Sequence, residues 1–350
     1  MDRFSPDAQD RIATRGLSRR TLLRRAGAVG AAAGAVAAFG PGPRRGRARQ
    51  ATPAASPPAT APRAHRFAVG AFAATLVSDG TAAFPNPPQL LFTNAPADAL
   101  ATELREHGLP DPWPEWITPF TPLLVETEDR RVLIDTGFGS SVVPTAGRLP
   151  ETLRAIGIAP EEIDLVVLTN GHPDHIGGAT DGAGNPAFPN ARYAMSRDDW
   201  EFWTDETRVT EVVAPGDFRD LFLAFAATHL PPLRDRIDLL ADGDEIVPGL
   251  RAIAAPGHTP GHLAIDVASE GERLLHGADT VLHPIHLEHP DWLTVFDTLP
   301  EPTIATRRRI LDLAASEGLA MTAYHIPFPG LGRVVAEGDA WRWEPSASLP

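Results

Sequence analysis

The stretch Thr169-Asn170-Gly171-His172-Pro173-Asp174-His175-Ile176-Gly177-Gly178 constrains this chain more than any other. It follows the apolar run Leu165-Val166-Val167-Leu168, whose length and β-branched content predict a buried strand. Asn170-Gly171 is a turn signal that ends the strand. Two imidazoles and a carboxylate then fall within four residues, His172 to His175. Neutral imidazole and carboxylate are the usual ligands of a zinc-like ion, so a metal site is expected at the carboxyl end of this strand. A polar, His-rich surface loop is the plainer alternative.

The rest of the chain supplies more residues of the same kind. Val132-Leu133-Ile134 pairs with Leu123-Leu124-Val125-Glu126 in an expected hairpin and runs into Asp135-Thr136-Gly137. Short strands are expected at 191–195, 237–240, 245–247, 250–253, 263–267 and 273–279, and helices at 97–107, 149–156, 198–203, 217–230 and 303–316. Ser78-Asp79-Gly80 reads as a turn that closes strand-like residues 67–77. Residues 109–122 hold five Pro and two Trp and read as a loop, with Trp113 and Trp116 either walling a site or plugging the outside of the core. His229 reads as a helix-terminal residue, and His283, His286 and His289 as surface or pocket residues.

In order, Asp135-Thr136-Gly137, Asn170 to His175, Pro256-Gly257-His258-Thr259-Pro260-Gly261-His262, Gly277-Ala278-Asp279 and His325 resemble the motifs of the metallo-β-lactamase superfamily. The stretch at 170–175 is similar to its His-x-His-x-Asp-His pattern, with Asn170 in the place of the first His. The segment 325–332 and Pro290-Asp291-Trp292 look like the exported methyl parathion hydrolase-like branch. The resemblance spans about Phe67 to Val335 and implies an α/β fold: an αβ/βα sandwich of two mixed sheets packed face to face with helices outside.

It also implies a ligand set. Asp174, His175 and His325 would bind one metal ion; His172 and His258, with Asn170 in the place of the missing His, would bind the other; Asp279 would bridge them. Asp174 would hold a proton during the reaction, Asp135 would orient a ligating imidazole, and His262 would be structural. The implied cofactor is Zn2+, two ions per chain or one if the Asn170 position binds weakly, with Mn2+, Fe2+ or Co2+ as alternatives. An amide oxygen is a poorer donor to zinc than an imidazole nitrogen, although a mono-zinc subclass of the β-lactamases also carries Asn here. The implied activity is metal-dependent hydrolysis of an ester, lactone or phosphotriester. The competing reading is a catalytically impaired periplasmic binding protein, motivated by Asn170 alone.

Composition bounds the partners and the compartment. The chain lacks Cys, so thiolate ligands and disulfides are excluded. Eleven of its 31 basic residues, all Arg, and three of its 45 acidic residues lie in the first fifty positions, leaving 20 Arg against 42 acids. So acidic a body argues against nucleic acid or an anionic membrane surface and fits a small-molecule substrate. Ser18-Arg19-Arg20-Thr21-Leu22-Leu23, followed by a weakly apolar run to Phe39, resembles a twin-arginine export signal. That run is too short to span a bilayer, so no stable membrane anchor is expected. The expected organisation is a signal and basic flank over 1–50, a Pro/Ala linker over 51–65, and one hydrolase domain over 66–350 in a periplasmic or secreted protein. A homodimer is left open.

Overall fold

The computed structural model describes residues 63–139 and 143–348. The expected export signal and nearly all of the expected linker lie outside the described residues. The linker was expected to reach residue 65, but the first strand already starts at Ala64, where Ala64 and His65 pair with Val77 and Leu76.

In chain order the strands are β1 (Ala64–Val69), β2 (Phe72–Val77), β3 (Gly80–Pro85), β4 (Glu115–Phe120), β5 (Leu123–Glu126), β6 (Arg131–Ile134), β7 (Leu165–Leu168), β8 (Arg192–Ser196), β9 (Ile237–Leu240), β10 (Glu245–Val247), β11 (Leu250–Ala254), β12 (Leu263–Ser269), β13 (Glu272–His276), β14 (Ala320–Thr322), β15 (Leu331–Glu337) and β16 (Ala340–Pro345). The helices are α1 (Pro87–Leu91), α2 (Ala97–Glu106), α3 (Leu149–Ala155), α4 (Pro173–Ile176), α5 (Arg197–Trp203), α6 (Glu206–Val212), α7 (Asp217–His229), α8 (Ile285–Glu288) and α9 (Pro300–Ser316).

Two seven-stranded sheets form, in the orders β1-β2-β5-β6-β7-β8-β9 and β10-β11-β12-β13-β14-β15-β16. Both are mixed: β6 to β9 run parallel in the first, and β13 pairs parallel with β14 in the second. Their facing surfaces share one apolar layer, in which Val132, Ile134 and Val167 of the first sheet pack with Ile265, Val267 and Leu274 of the second. On the opposite face of the first sheet, Leu133, Val166 and Leu168 pack with Leu153, Trp200 and Phe225 of the helices. Strands covered on both faces need no polar alternation, which is why β7 reads as an unbroken apolar run. Helix α9 covers the second sheet through Ile310, Leu311 and Ala314. The layers are therefore helix, sheet, sheet, helix, as the resemblance implies.

Two local expectations are corrected. The Pro-rich segment is not all loop, because β4 pairs with β3 along its whole length. Pro114 lies before that strand, and Pro119 sits in a two-stranded ribbon where a missing donor is tolerated. Trp113 and Trp116 are buried with Phe92, Leu104, Ile285 and Trp292, so they form a plug, and Trp116 also reaches the site described below. Asp79 is not an exposed turn residue. It is fully buried, and its carboxylate accepts the backbone N–H of Phe138, Gly147 and Leu149 at 2.8–3.0 Å. A Cβ on Gly137, whose φ is +72°, would lie 2.2 Å from the Asp79 carboxyl carbon, so this approach requires glycine.

Among the described residues no helix is long and apolar enough to cross a membrane. Replacing Asp79 with Ala would strand three backbone donors in the interior. Asp79→Ala is expected to cost about 2–4 kcal/mol of stability, read as a lower urea midpoint; a loss below about 0.5 kcal/mol would show that the carboxylate does not hold these segments.

Candidate metal centre

The expected ligands lie beyond the carboxyl ends of strands from both sheets. Asn170 to His175 follow β7, with His172 capping the single turn α4. His258 follows β11, Asp279 follows β13, and His325 follows β14. Crevices at the carboxyl ends of parallel strands are the usual ligand sites of α/β sheets.

Two groups of donor atoms result: His172, His258 and Asp279, and Asp174, His175 and His325, the atoms of each group lying within 4.8 Å of one another. Asp279 joins them. Its Oδ2 lies 2.8 Å from His175 Nε2 and 3.1 Å from His258 Nε2, and its Oδ1 lies 3.3 Å from His325 Nε2. His172 Nδ1 sits 2.9 Å from His258 Nε2, and Asp174 Oδ2 is 3.3 Å from His325 Nε2 and 3.6 Å from His175 Nε2. Asp174 is the most exposed of these ligands, which gives its carboxylate access to solvent.

Asn170 is at the cluster, but its amide is already engaged. Oδ1 accepts the backbone N–H of His172 at 2.9 Å, and Nδ2 donates to Asp279 Oδ2 at 3.1 Å. The oxygen expected to stand in for an imidazole is spent on the turn, while the nitrogen supports the carboxylate between the two groups.

Three of the four imidazoles, His175, His258 and His325, are oriented from behind by hydrogen-bond partners, while His172 is held by the rings of Trp203 and Phe222. His175 Nδ1 faces Asp135 Oδ2 at 2.9 Å, and Asp135 also accepts the Thr169 backbone and hydroxyl donors at 2.8 Å each. Asp135 adopts φ +64°, an uncommon conformation for a non-glycine residue, held by these bonds. Thr136 donates twice to the His175 carbonyl, from its N–H at 2.9 Å and its hydroxyl at 2.6 Å. The expected role of Asp135-Thr136-Gly137 thus has a specific geometry. His262 donates from Nδ1 to the Ala255 carbonyl and accepts the Asp279 N–H at Nε2, which fixes its neutral tautomer; burial pushes it down to about 4.

Four supports were not singled out from the sequence. Asp297 Oδ1 lies 3.1 Å from His258 Nδ1 and is backed by the fully buried Arg307, which donates to the carbonyls of Thr280, Pro290 and Trp292. The Thr118 hydroxyl meets His325 Nδ1 at 2.9 Å. Asp199, fully buried, accepts from Gly171 N–H, Gly261 N–H and the Thr259 hydroxyl, tying the His172 turn to the His258 loop. A Cβ on Gly261 would meet Ser196 Oγ at 2.0 Å, so the loop could not close this tightly with another residue. Only Arg307 left a trace: it falls in register with Thr303, Ile310, Leu311 and Ala314, on the buried stripe of α9. Of the remaining expected residues, His286 bonds the Leu91 carbonyl and His229 meets the Thr180 hydroxyl.

The donor set fits divalent ions. His175 Nε2 and Asp279 Oδ1 are buried at the centre of the cluster with other donor atoms 2.8 and 3.3 Å away but no well-aligned hydrogen bond to them. Burial pushes His172 and His325 down, keeping them neutral. Burial also lowers His258, but the neighbouring Asp279 and Asp297 outweigh it and hold the ring up at about 9. Buried carboxylates in such number demand positive charge, which protons or metal ions supply in competition.

The superfamily model for metallo-β-lactamases matches residues 121–324, a span that takes in Asp135 and every donor but His325. The chain belongs to the metallo-β-lactamase superfamily. Within it, the chain is similar to an N-acyl homoserine lactonase of Bacillus sp, with 28% identity over 168 residues, covering 42% of this chain and 57% of that protein. It is also 28% identical over 204 residues to a probable metallo-hydrolase of Mycobacterium tuberculosis, covering 46% of this chain and 56% of that one. The chain thus spans little more than half the length of these curated relatives. Solved superfamily structures align over more. AidC, described as a dizinc quorum-quenching lactonase, has a TM-score of 0.76 at 25% identity, covering 81% of this chain and 98% of its own. AbOPH, a hydrolase, has a TM-score of 0.73 at 26% identity, covering 81% and 97%.

Removing an outer support should weaken the metal without removing a ligand. Asp297→Ala is expected to lower divalent-ion affinity about 10- to 100-fold, as loss of an imidazole's carboxylate partner typically does, in a chelator competition. An affinity equal to the parent's would mean that Asp297 does not act through His258.

Proposed function

We propose that this chain is a metal-dependent hydrolase of lactones or esters that carry an apolar acyl or aryl group, with phosphotriesters as related substrates. The observation that carries this reading is the convergence of four imidazoles and two carboxylates into two groups sharing Asp279. In it, His172, His258 and Asp279 hold one zinc-type ion, and Asp174, His175 and His325, with Asp279 between, hold the other. Two such ions lower the pKa of water toward about 7 and polarise a scissile carbonyl or phosphoryl oxygen. No protein nucleophile is then needed, in keeping with the absence of Cys.

The chain's own side chains do the rest. Asp174, reachable from solvent, holds the proton at Oδ2 and passes it to the leaving oxygen. Tyr324 donates from its hydroxyl to the Asp174 carbonyl at 2.7 Å and packs, tilted by 32°, on His175 with ring centroids 4.3 Å apart, keeping that turn in place. Apolar walls exclude water. Phe222 lies 4.4 Å from His172, and Trp116 lies 6.0 Å from His325.

A cavity of about 590 Å³, lined by Phe84, Pro85, Asn86, Gln89, Leu90 and Phe218, supports the choice of an apolar substrate group. Its Phe84 packs on Trp116 and its Phe218 on Phe222, so its walls continue into the residues flanking both donor groups. That AidC and the Bacillus relative are lactonases supports a lactone as the first substrate to try.

The reading is tested by elemental analysis and chelator titration, followed against a panel of aryl esters and lactones. Metal-replete protein should hydrolyse at least one lactone or ester, and the chelated protein none; no turnover with metal present would refute the reading. Asn170→His should raise affinity for the ion at His172 and His258 by about 10-fold or more, since an imidazole replaces a hydrogen-bonded amide. If hydrolysis arises only in Asn170→His, the parent is the impaired binding protein instead. Phe218→Ala should raise KM for a long-acyl lactone at least about 5-fold, the scale of about 1 kcal/mol of lost apolar contact, while leaving a short-acyl one unchanged. An equal effect on both would move the acyl site elsewhere.

A further inference from the structure

Away from the centre above, a second kind of donor cluster forms where α2 meets α8. Glu103 lies on α2 and His107 caps its carboxyl end; Glu288 ends α8 and His289 caps it. His107 Nε2 is 2.8 Å from Glu288 Oε2, and His289 Nε2 is 2.8 Å from Glu103 Oε1. Donor atoms of Glu103, His107 and Glu288 lie within 4.8 Å of one another. The two segments are about 180 residues apart in sequence, so only the fold brings them together.

Two further observations point to a ligand rather than to paired side chains alone. A cavity of about 510 Å³ opens directly on the cluster, lined by Glu103, Glu106, His107, Glu288, His289 and Glu337, among others. Arg342 answers only Glu337 and Glu344, so the carboxylates of Glu103, Glu106 and Glu288 face this space with imidazoles as their only counterpart among its lining residues. In addition, His289 is stacked flat on Trp292, with ring centroids 3.8 Å apart and planes 7° apart, which presents its Nε2 to Glu103 in one orientation. Exposed ion pairs contribute little and do not require a ring fixed in this way.

We propose that Glu103, His107, Glu288 and His289 form a divalent-cation site separate from the hydrolytic centre, suited to Zn2+. Two imidazole nitrogens and two carboxylate oxygens are a zinc-type donor set: Glu103, His107 and Glu288 already place three donors within 4.8 Å of one another, and His289 Nε2, 2.8 Å from Glu103 Oε1, would swing in as the fourth to bring each to about 2.0–2.2 Å from an ion. The open cavity provides the route of entry. Bound there, the ion ties α2 to α8, whose Leu100, Leu104 and Ile285 pack with Trp113 and Trp116 beside His325. The ion would therefore act as a structural clamp behind one wall of the hydrolytic site, with no part in bond cleavage.

The test loads full-length protein with Zn2+, removes free metal by desalting, and measures bound zinc per chain. His107→Ala is expected to hold one equivalent fewer than the parent. Glu288→Gln, which preserves side-chain shape, is expected to show the same loss and guards against a poorly folded alanine variant. In a background with His172, His258, His175 and His325 all replaced by Ala, which disables both donor groups of the hydrolytic centre, added Zn2+ should still raise the thermal midpoint, and His107→Ala should abolish that rise. Parent-like zinc content in both His107→Ala and Glu288→Gln overturns the proposal. Because these readouts use metal content and melting rather than turnover, an inactive hydrolytic centre would not affect them.

Discussion

The structure depends on how a fully buried carboxylate, Asp279, is kept ionised between two sheets. An isolated charge there would cost several kcal/mol in lost solvation. Instead Asp279 meets His175, His258 and His325 around its oxygens, the Asn170 amide at Oδ2, and His262 at its own N–H. Nearby imidazoles outweigh burial and hold its carboxyl well below the usual range. These partners come from three loops, after β7, β11 and β14, so a correctly placed Asp279 requires both sheets to be in register. The apolar layer between the sheets supplies that register, and the polar cluster at its edge is what the register positions.

Behind the donors stands a ring of carboxylates and one guanidinium that touch no substrate. Asp135 serves His175, and Asp297, anchored by Arg307, serves His258. Asp199 joins the turn that carries His172 to the loop that carries His258; burial pushes its carboxyl up to about 6 against the hydrogen bonds it accepts. A site whose ligands are held this way needs little rearrangement when it binds an ion, which is the physical meaning of preorganisation in a metal centre.

Much of this was legible in the sequence, for identifiable reasons. Strands buried on both faces, such as Leu165–Leu168, are unbroken apolar runs, and the donor-bearing turns follow them directly. His172, Asp174, His175, His258, Asp279 and His325 were all nameable because they sit in short motifs at strand ends. Asp297, Thr118 and Asp199 were not, because their work is done at separations of 28 to 207 residues with no local pattern. The β3–β4 ribbon was hidden by its prolines, which argue for loop locally and are tolerated only because the ribbon has no further strand on either side. Asn170 could be identified as a departure from the pattern, but the direction in which its amide turns was decided by the His172 N–H and Asp279, two partners that only the folded chain brings to it.

The spread of the donors along the chain has a consequence for biosynthesis. The first of them is made at position 172 and the last at position 325, and β14, the strand that delivers His325, pairs with β13 almost fifty residues upstream. A nascent polypeptide lacking its final segment would display Asp174 and His175 without His325, which completes their group. On the proposed reading, the ion held by Asp174, His175 and His325 could load only after translation has all but finished, and a product truncated ahead of Ala320 would carry one half-formed cation trap.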